Sequence, residues 1–268
     1  MPSPTLLFRT LTPALILFAL TASLAQAQAP ATSLTLLKQA LAPLASTGPL
    51  QSTSTLQMSG SKQGISFTFR EQVSVVAKQP GKFRAEVTQY AADSSQQSRL
   101  LVVSDGVKVW TYRPDTHQYS VNSAKAFHAA NEDMTALGLA MGGFFLGEGH
   151  DLAVGLQAVT KETNDQMLKD LAGLGIIVTE RPEGVDGEDD YVYRMSLAKQ
   201  GIAYRFVINP QTRMLRRMEL AGTQNGVTMT FRETLAMLSK PGVIAKTAFH
   251  FTPPPGAVKI AALSIDPF

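Results

Sequence analysis

Two spacings of apolar residues divide this chain. Near its start Leu34, Leu37, Leu41 and Leu44 recur at helical intervals, with Ser33 placed to cap the first turn and Lys38 and Gln39 on the other side. That pattern predicts an amphipathic helix over residues 33–45. After Gly48-Pro49 the period becomes two: Ile65, Phe67 and Phe69 alternate with Ser66, Thr68 and Arg70, and Val73 and Val75 continue beyond Glu71. This is the signature of half-buried strands. Gln79-Pro80-Gly81-Lys82 reads as a turn, with glycine at the position that accepts a positive φ, and leads into a further alternating stretch, 83–90.

Short strands follow at 100–103, 107–112 and 118–121, and a second run at 191–197, 204–208, 215–220 and 227–231, separated by turn sequences such as Ser104-Asp105-Gly106, Asn209-Pro210 and Asn225-Gly226. Many short strands with regular turns imply one curled sheet or barrel, so the fold class is mainly β with some α. Residues 124–149 differ in character. They are rich in Ala, Gly, Met and Phe, with Met134, Leu137, Met141 and Phe145 at helical intervals. Gly138, Gly142 and Gly143 would each destabilise a helix interior by about 1 kcal/mol relative to alanine, so this segment depends on packing for its shape. A second helix is predicted over 165–174, where Met167, Leu168 and Leu171 share a side.

Composition adds exclusions. The 268 residues include no cysteine, which removes thiolate nucleophiles, zinc ribbons, iron–sulfur clusters and a lipid-modified cysteine anchor. A net charge of +3 is too small to suggest nucleic acid as a partner. At the amino terminus Arg9, the apolar stretch 11–24 and a small-x-small site at Ala25-Gln26-Ala27 or Ala27-Gln28-Ala29 read as a cleavable signal peptide over 1–27. Pro13 interrupts that stretch, which falls short of the roughly 20 apolar residues a spanning helix needs. The expectation is export to a periplasm, or secretion, of a soluble single domain, 28–268, with a helical cover around 124–175.

Catalytic signals are weak. His117, His128, His150 and His250 show no metal-ligand spacing. Ser59-Gly60-Ser61-Lys62 holds an S-x-x-K without the companion elements of penicillin-binding proteins, in a local pattern of strand and loop. The acidic group Asp186, Glu188, Asp189 and Asp190 lacks the spacing of a calcium loop and reads as a solvated hairpin tip. No enzyme activity, cofactor or metal is expected. Trp110, Tyr112 and the strand-borne Phe and Tyr residues either fill a core or line a cavity, and alternation alone leaves both open.

Three ordered elements carry a family resemblance: Pro80-Gly81-Lys82-Phe83-Arg84, then Ser104-Asp105-Gly106 with Trp110-Thr111-Tyr112-Arg113-Pro114, and Phe249-His250-Phe251-Thr252-Pro253-Pro254-Pro255-Gly256. Together with Leu215-Arg216-Arg217-Met218-Glu219-Leu220 they resemble the LolA lipoprotein carrier superfamily of periplasmic proteins. The middle, 144–194, is longer than in those carriers and brings the chain nearer to the superfamily's other periplasmic members. The resemblance implies an incomplete, curved antiparallel β-barrel whose hollow is covered by helices and shelters acyl chains of lipids or lipoproteins, with inner- or outer-membrane proteins that deliver or receive the cargo. A monomer is expected. It also implies that Arg84 tethers the helical cover. The residues expected to line the hollow are Phe67, Phe69, Trp110, Tyr112, Tyr204, Phe206, Met229 and Phe231, with Met134, Met141, Phe144 and Phe145 on the cover. The alternative is a sensor or envelope assembly module on the same fold, with a collapsed interior.

Overall fold

The alternating stretches form strands of one twelve-stranded sheet. The computed structural model describes residues 33–44, 48–62, 65–78, 81–90, 97–130, 163–173, 175–197, 201–224, 227–263 and 265. The strands are β1 (Leu50–Lys62), β2 (Ile65–Lys78), β3 (Lys82–Tyr90), β4 (Gln97–Asp105), β5 (Lys108–Arg113), β6 (Gln118–Ser123), β7 (Ile176–Val185), β8 (Glu188–Leu197), β9 (Ile202–Asn209), β10 (Met214–Gln224), β11 (Val227–Ser239) and β12 (Val258–Lys259). Their spatial order is β12-β6-β5-β4-β3-β2-β1-β11-β10-β9-β8-β7. Two meanders are thus joined where β1 pairs with β11, and every pairing is antiparallel except the short parallel contact of β12 with β6. The sheet is curved and open, an incomplete barrel, because β7 and β12 end it without meeting.

Turn chemistry sets the hairpins. Asp105 Oδ1 accepts the backbone N–H groups of Val107 (2.8 Å) and Lys108 (2.7 Å), closing the β4–β5 turn, while Gly106 takes a φ of 94°. The same acid's pKa is lowered: its slight burial would raise it, but these two donors and the charges of Lys108 and Lys82 outweigh that. Between β7 and β8, Asp186 and Gly187 both adopt positive φ (53° and 82°), the requirement of a two-residue hairpin turn whose twist matches the strands.

Alternate side chains of this sheet enter one large core. Val73, Val75 and Ala77 of β2, Phe83, Ala85 and Val87 of β3, Leu220 of β10 and Phe231 of β11 all belong to it. No second sheet faces this core among the described residues; helices do. The first, α1 (Thr35–Leu41), presents Leu37 and Leu41, and Leu34 and Leu44 beside it are also buried in the core. The second and third, α2 (Ala124–Ala130) and α3 (Asn164–Gly173), contribute Phe127 and Met167 with Leu171. Thr163 starts α3, its hydroxyl accepting the Gln166 N–H at 3.3 Å. The strands before and after the 124–175 connection, β6 and β7, stand near opposite ends of the sheet, and the connection's described helices, α2 and α3, both contribute to the core.

Three strands have no counterpart in the sequence reading: β1, β7 and the two-residue β12. In β1 the core-facing positions Ser52 and Ser54 are buried serines, which conceal the alternation between Leu50 and Leu56. In β7, Pro182 and the charged Glu180, Arg181 and Glu183 disguise an edge strand, the setting in which proline is tolerated. The opening helix is also shorter than predicted and gives way to a turn after Leu41. Because Leu37 is fully buried against the sheet, Leu37→Ala should cost about 2–5 kcal/mol in chemical denaturation. A loss under about 1 kcal/mol would mean that the helix is not part of the cooperative core.

Candidate ligand-binding face

Cross-strand registers place the predicted lining residues in rows. Phe67 faces Gly60, Gly60 faces Met229, and Met229 faces Gly222. One step along, Phe69, Met58, Phe231, Leu220, Tyr204 and Met195 follow one another across six strands. A third row runs from Met218 through Phe206 to Tyr193. Phe67, Phe69, Tyr204, Phe206, Met229 and Phe231 therefore share the concave face. Phe206, Met229 and Phe231 are buried in the core; Phe67, Phe69 and Tyr204 are half-buried against it.

A glycine shapes one corner. A Cβ added to Gly60 would lie 2.3 Å from the Phe67 ring, so this ring lies over bare backbone on the neighbouring strand. The gap left by the missing side chain is filled by an aromatic from across the strand pair.

The third row continues into a polar belt. Met218 faces Glu233, Glu233 faces Leu56, Leu56 faces Glu71, Glu71 faces Gln89 and Gln89 faces Ser98. Glu71 and Glu233 are fully buried, and the Gln89 amide donates to Glu71 Oε1 at 2.9 Å. Arg113 donates to Ser98 Oγ at 3.2 Å. At the far end of the sheet Glu180 accepts the Ser33 N–H at 2.8 Å, and Tyr193 donates to the Ser33 carbonyl at 2.9 Å, so the start of the described chain is tied to β7 and β8. Burial, and then the nearby charge of Glu180, raises the Tyr193 pKa; burial alone pushes that of Tyr204 up to about 12.

Three of the sequence-derived site residues fall on the opposite, convex face. Phe83 and Ala85 point into the core, so the period of two turns Arg84 outward, where it pairs with Glu86 at 3.0 Å. A residue on that side is not placed to tether a cover over the hollow. Trp110 and Tyr112 likewise flank Thr111, whose partners lie on the core side; they join Val103, Tyr119 and Phe251 in a separate cluster. Tyr112 and Phe251 stack with ring centroids 5.6 Å apart. These two aromatics thus serve to seat the chain that follows β11 rather than to line the hollow. Met134, Met141, Phe144 and Phe145 lie outside the described residues. Residues the sequence reading missed are Glu71, Gln89 and Glu233. The only signal was polarity at positions where the alternation demands an apolar side chain.

The other chemical candidates are dispersed. Ser59 and Ser61 are exposed on strand β1, so the S-x-x-K occupies extended backbone. In the acidic hairpin Asp186 pairs with Arg217, and Asp190 is buried with Arg216 Nη1 2.8 Å away, which makes the latter a structural ion pair rather than part of a solvated tip. Among the described residues no group of three His, Asp or Glu is placed to hold a metal.

The fold and this face define an open antiparallel half-barrel with helices on its concave side. No family model matches the chain, and no curated protein matches it. Solved structures do, at low identity. LprF from Mycobacterium bovis is 13% identical with a TM-score of 0.41, over 80% of this chain and 95% of that one. The LolA superfamily protein NE2245 from Nitrosomonas europaea is 11% identical with a TM-score of 0.30, over 81% of this chain and 97% of that one. MucB is 13% identical with a TM-score of 0.38, over 85% of this chain and 64% of that one, so the chain spans less than two thirds of MucB's length.

Two outcomes follow from this geometry. Gly60→Val should displace the Phe67 ring and cost about 1–3 kcal/mol in denaturant unfolding, and less in a Phe67→Ala background; equal costs in both would show that the two residues are not coupled. For Tyr204, a folded-state pKa near 12 against an ordinary value of 10.0 means that the folded protein retains a proton the unfolded chain releases. Its contribution to stability is complete below pH 10 and is lost as pH rises toward 12. Tyr204→Phe should therefore reduce the loss of stability across that window without abolishing it, since Tyr193 is raised as well. An unchanged alkaline profile would contradict this.

Proposed function

We propose that this protein is an exported binding protein, one domain over 28–268 behind a cleaved signal peptide, that shelters acyl chains of lipids or lipoproteins against its concave face. One observation carries the reading: aromatics and methionines from β2, β9 and β11 converge in adjacent rows on one face, and Phe67, Phe69 and Tyr204 keep part of their surface uncovered there. Burying a chain of about 14–16 methylenes at about 0.8 kcal/mol each supplies roughly 11–13 kcal/mol before the costs of ordering, which is ample without a polar code. Methionines such as Met58 and Met229 suit a variable cargo, since the thioether repacks easily. Sheltering of this kind needs no nucleophile, cofactor or metal, and the work proceeds in the periplasm with membrane proteins that deliver and receive the cargo.

A second reading, an assembly or sensor module that acts through its surface, is favoured by the complete burial of Leu34 and Leu37, which fill the concave face above β9 and β10. Binding of a fluorescent fatty acid, with native mass spectrometry of the purified protein, separates the two. The carrier reading expects bound acyl species, at least a tenfold loss of probe affinity in Phe69→Asp, and no change in Arg84→Ala on the convex face. Absence of lipid and of probe uptake in the folded protein would leave the second reading.

A further inference from the structure

The chain after β11 passes from one face of the sheet to the other. Phe251 packs on Tyr112 and Tyr119 on the convex side. At the edge, β12 runs parallel to β6: the Val258 N–H donates to the His117 carbonyl at 2.8 Å and the Ile260 N–H to that of Tyr119 at 2.9 Å. Beyond it the chain is on the concave side. The Leu263 N–H donates to Ser120 Oγ at 3.2 Å, and the Ile265 carbonyl accepts the Gln89 amide at 3.5 Å. Ile265 is 2% exposed and belongs to the main core.

The receiving surface is built for a backbone. Ser120 and Thr111, opposite each other on β6 and β5, are fully buried polar residues on the concave side, and Gln89 is held by Glu71 with its amide still directed at a carbonyl. Side chains of the sheet interior thus take one N–H and one carbonyl from a passing segment, and the core takes its aliphatic side chain. None of these contacts depends on the rest of the segment's sequence, and the attachment at the edge is only two residues of strand. Peptide recognition through main-chain groups with a pocket for one side chain has this form.

We propose that this polar end of the concave face is a binding site for an extended peptide bearing a branched aliphatic residue, and that Leu263 and Ile265 mark its resident occupant, this chain's own tail. The proposal is independent of acyl binding. A fluorescent synthetic peptide of residues 261–268, titrated by anisotropy into the full chain and into its Ile265→Asp variant, tests it. The wild-type protein should bind poorly, because its own segment competes at an effective concentration of the millimolar order; the variant should bind roughly tenfold tighter or better. In the variant, hydrogen exchange at the Leu263 amide should also accelerate while β3 stays protected. Equal affinity for the two proteins overturns the proposal, as does no binding to a variant whose β3 remains protected, or equal binding of a peptide carrying aspartate in place of the isoleucine. Should Ile265→Asp not fold, Ile265→Ala serves in its place: affinity between those expected of wild type and detached tail supports the site, and wild-type affinity overturns it.

Discussion

A single-layer sheet with one largely apolar face must have that face removed from water, and the rest of this structure depends on how that is done. At about 25 cal/mol per Å² of apolar surface, leaving a face of this extent exposed would be prohibitive. Sandwiches solve the problem with a second sheet. Here the described residues supply α1, α2, α3 and Ile265 instead. Helices cover a curved sheet less completely than another sheet would, because their rounded surfaces meet it along stripes. An acyl chain is a reasonable complement for what such stripes leave, since it has no hydrogen-bonding needs and no fixed shape.

The convex face obeys different rules on its two halves. Over β4, β5 and β6 it is apolar and is covered by Phe251. Over β7–β11 it carries charged residues around a small buried cluster of Val185, Val192 and Val207. Glu183 accepts Arg194 at 2.6 Å and Arg205 at 2.7 Å, and Glu219 accepts Arg205 at 3.1 Å and Arg232 at 2.9 Å. Arg194 and Arg205 stand directly opposite each other, an arrangement that would be repulsive without Glu183 between them. Burial by itself would raise the Glu183 carboxyl, but the hydrogen bonds and charges of Arg194, Arg205 and Arg181 together hold it below the usual carboxylate range. These pairs are partly solvated, which limits what each contributes to stability on its own. Their effect is on specificity of folding: a one-residue slip of β9 would move Arg205 into the core.

Most of the architecture was legible because period-two alternation survives wherever the core side is occupied by Val, Phe or Ile, as in β2 and β3. It failed where that side carries serine, as in β1, or where an edge strand tolerates proline and charge, as in β7. The residues expected to line the hollow could be grouped by side from the sequence, but not assigned to a face. Phe67, Phe69, Tyr204, Phe206, Met229 and Phe231 lie on the concave side, whereas Trp110 and Tyr112, equally aromatic and equally alternating, lie on the other. A strand pattern reports which residues share a side; which side it is depends on what packs there, and the partner of Tyr112, Phe251, lies far along the chain. The role implied for Arg84 met the same difficulty, since Phe83 beside it takes the core position. Glu71, Gln89 and Glu233 could not be read as site residues, because a polar residue at a core position resembles a solvent-facing one until the register is known.

The concave face as the cargo surface is tested most directly by methyl NMR of the methionines with a spin-labelled fatty acid. Met58, Met195 and Met229 lie buried on that face, and Met214 stands 44% exposed. The account predicts that the labelled chain broadens the concave-face methyls in proportion to its occupancy and leaves Met214 sharp. Broadening of Met214 alone, or of none of them in a sample where the probe is present above the protein concentration, would contradict it.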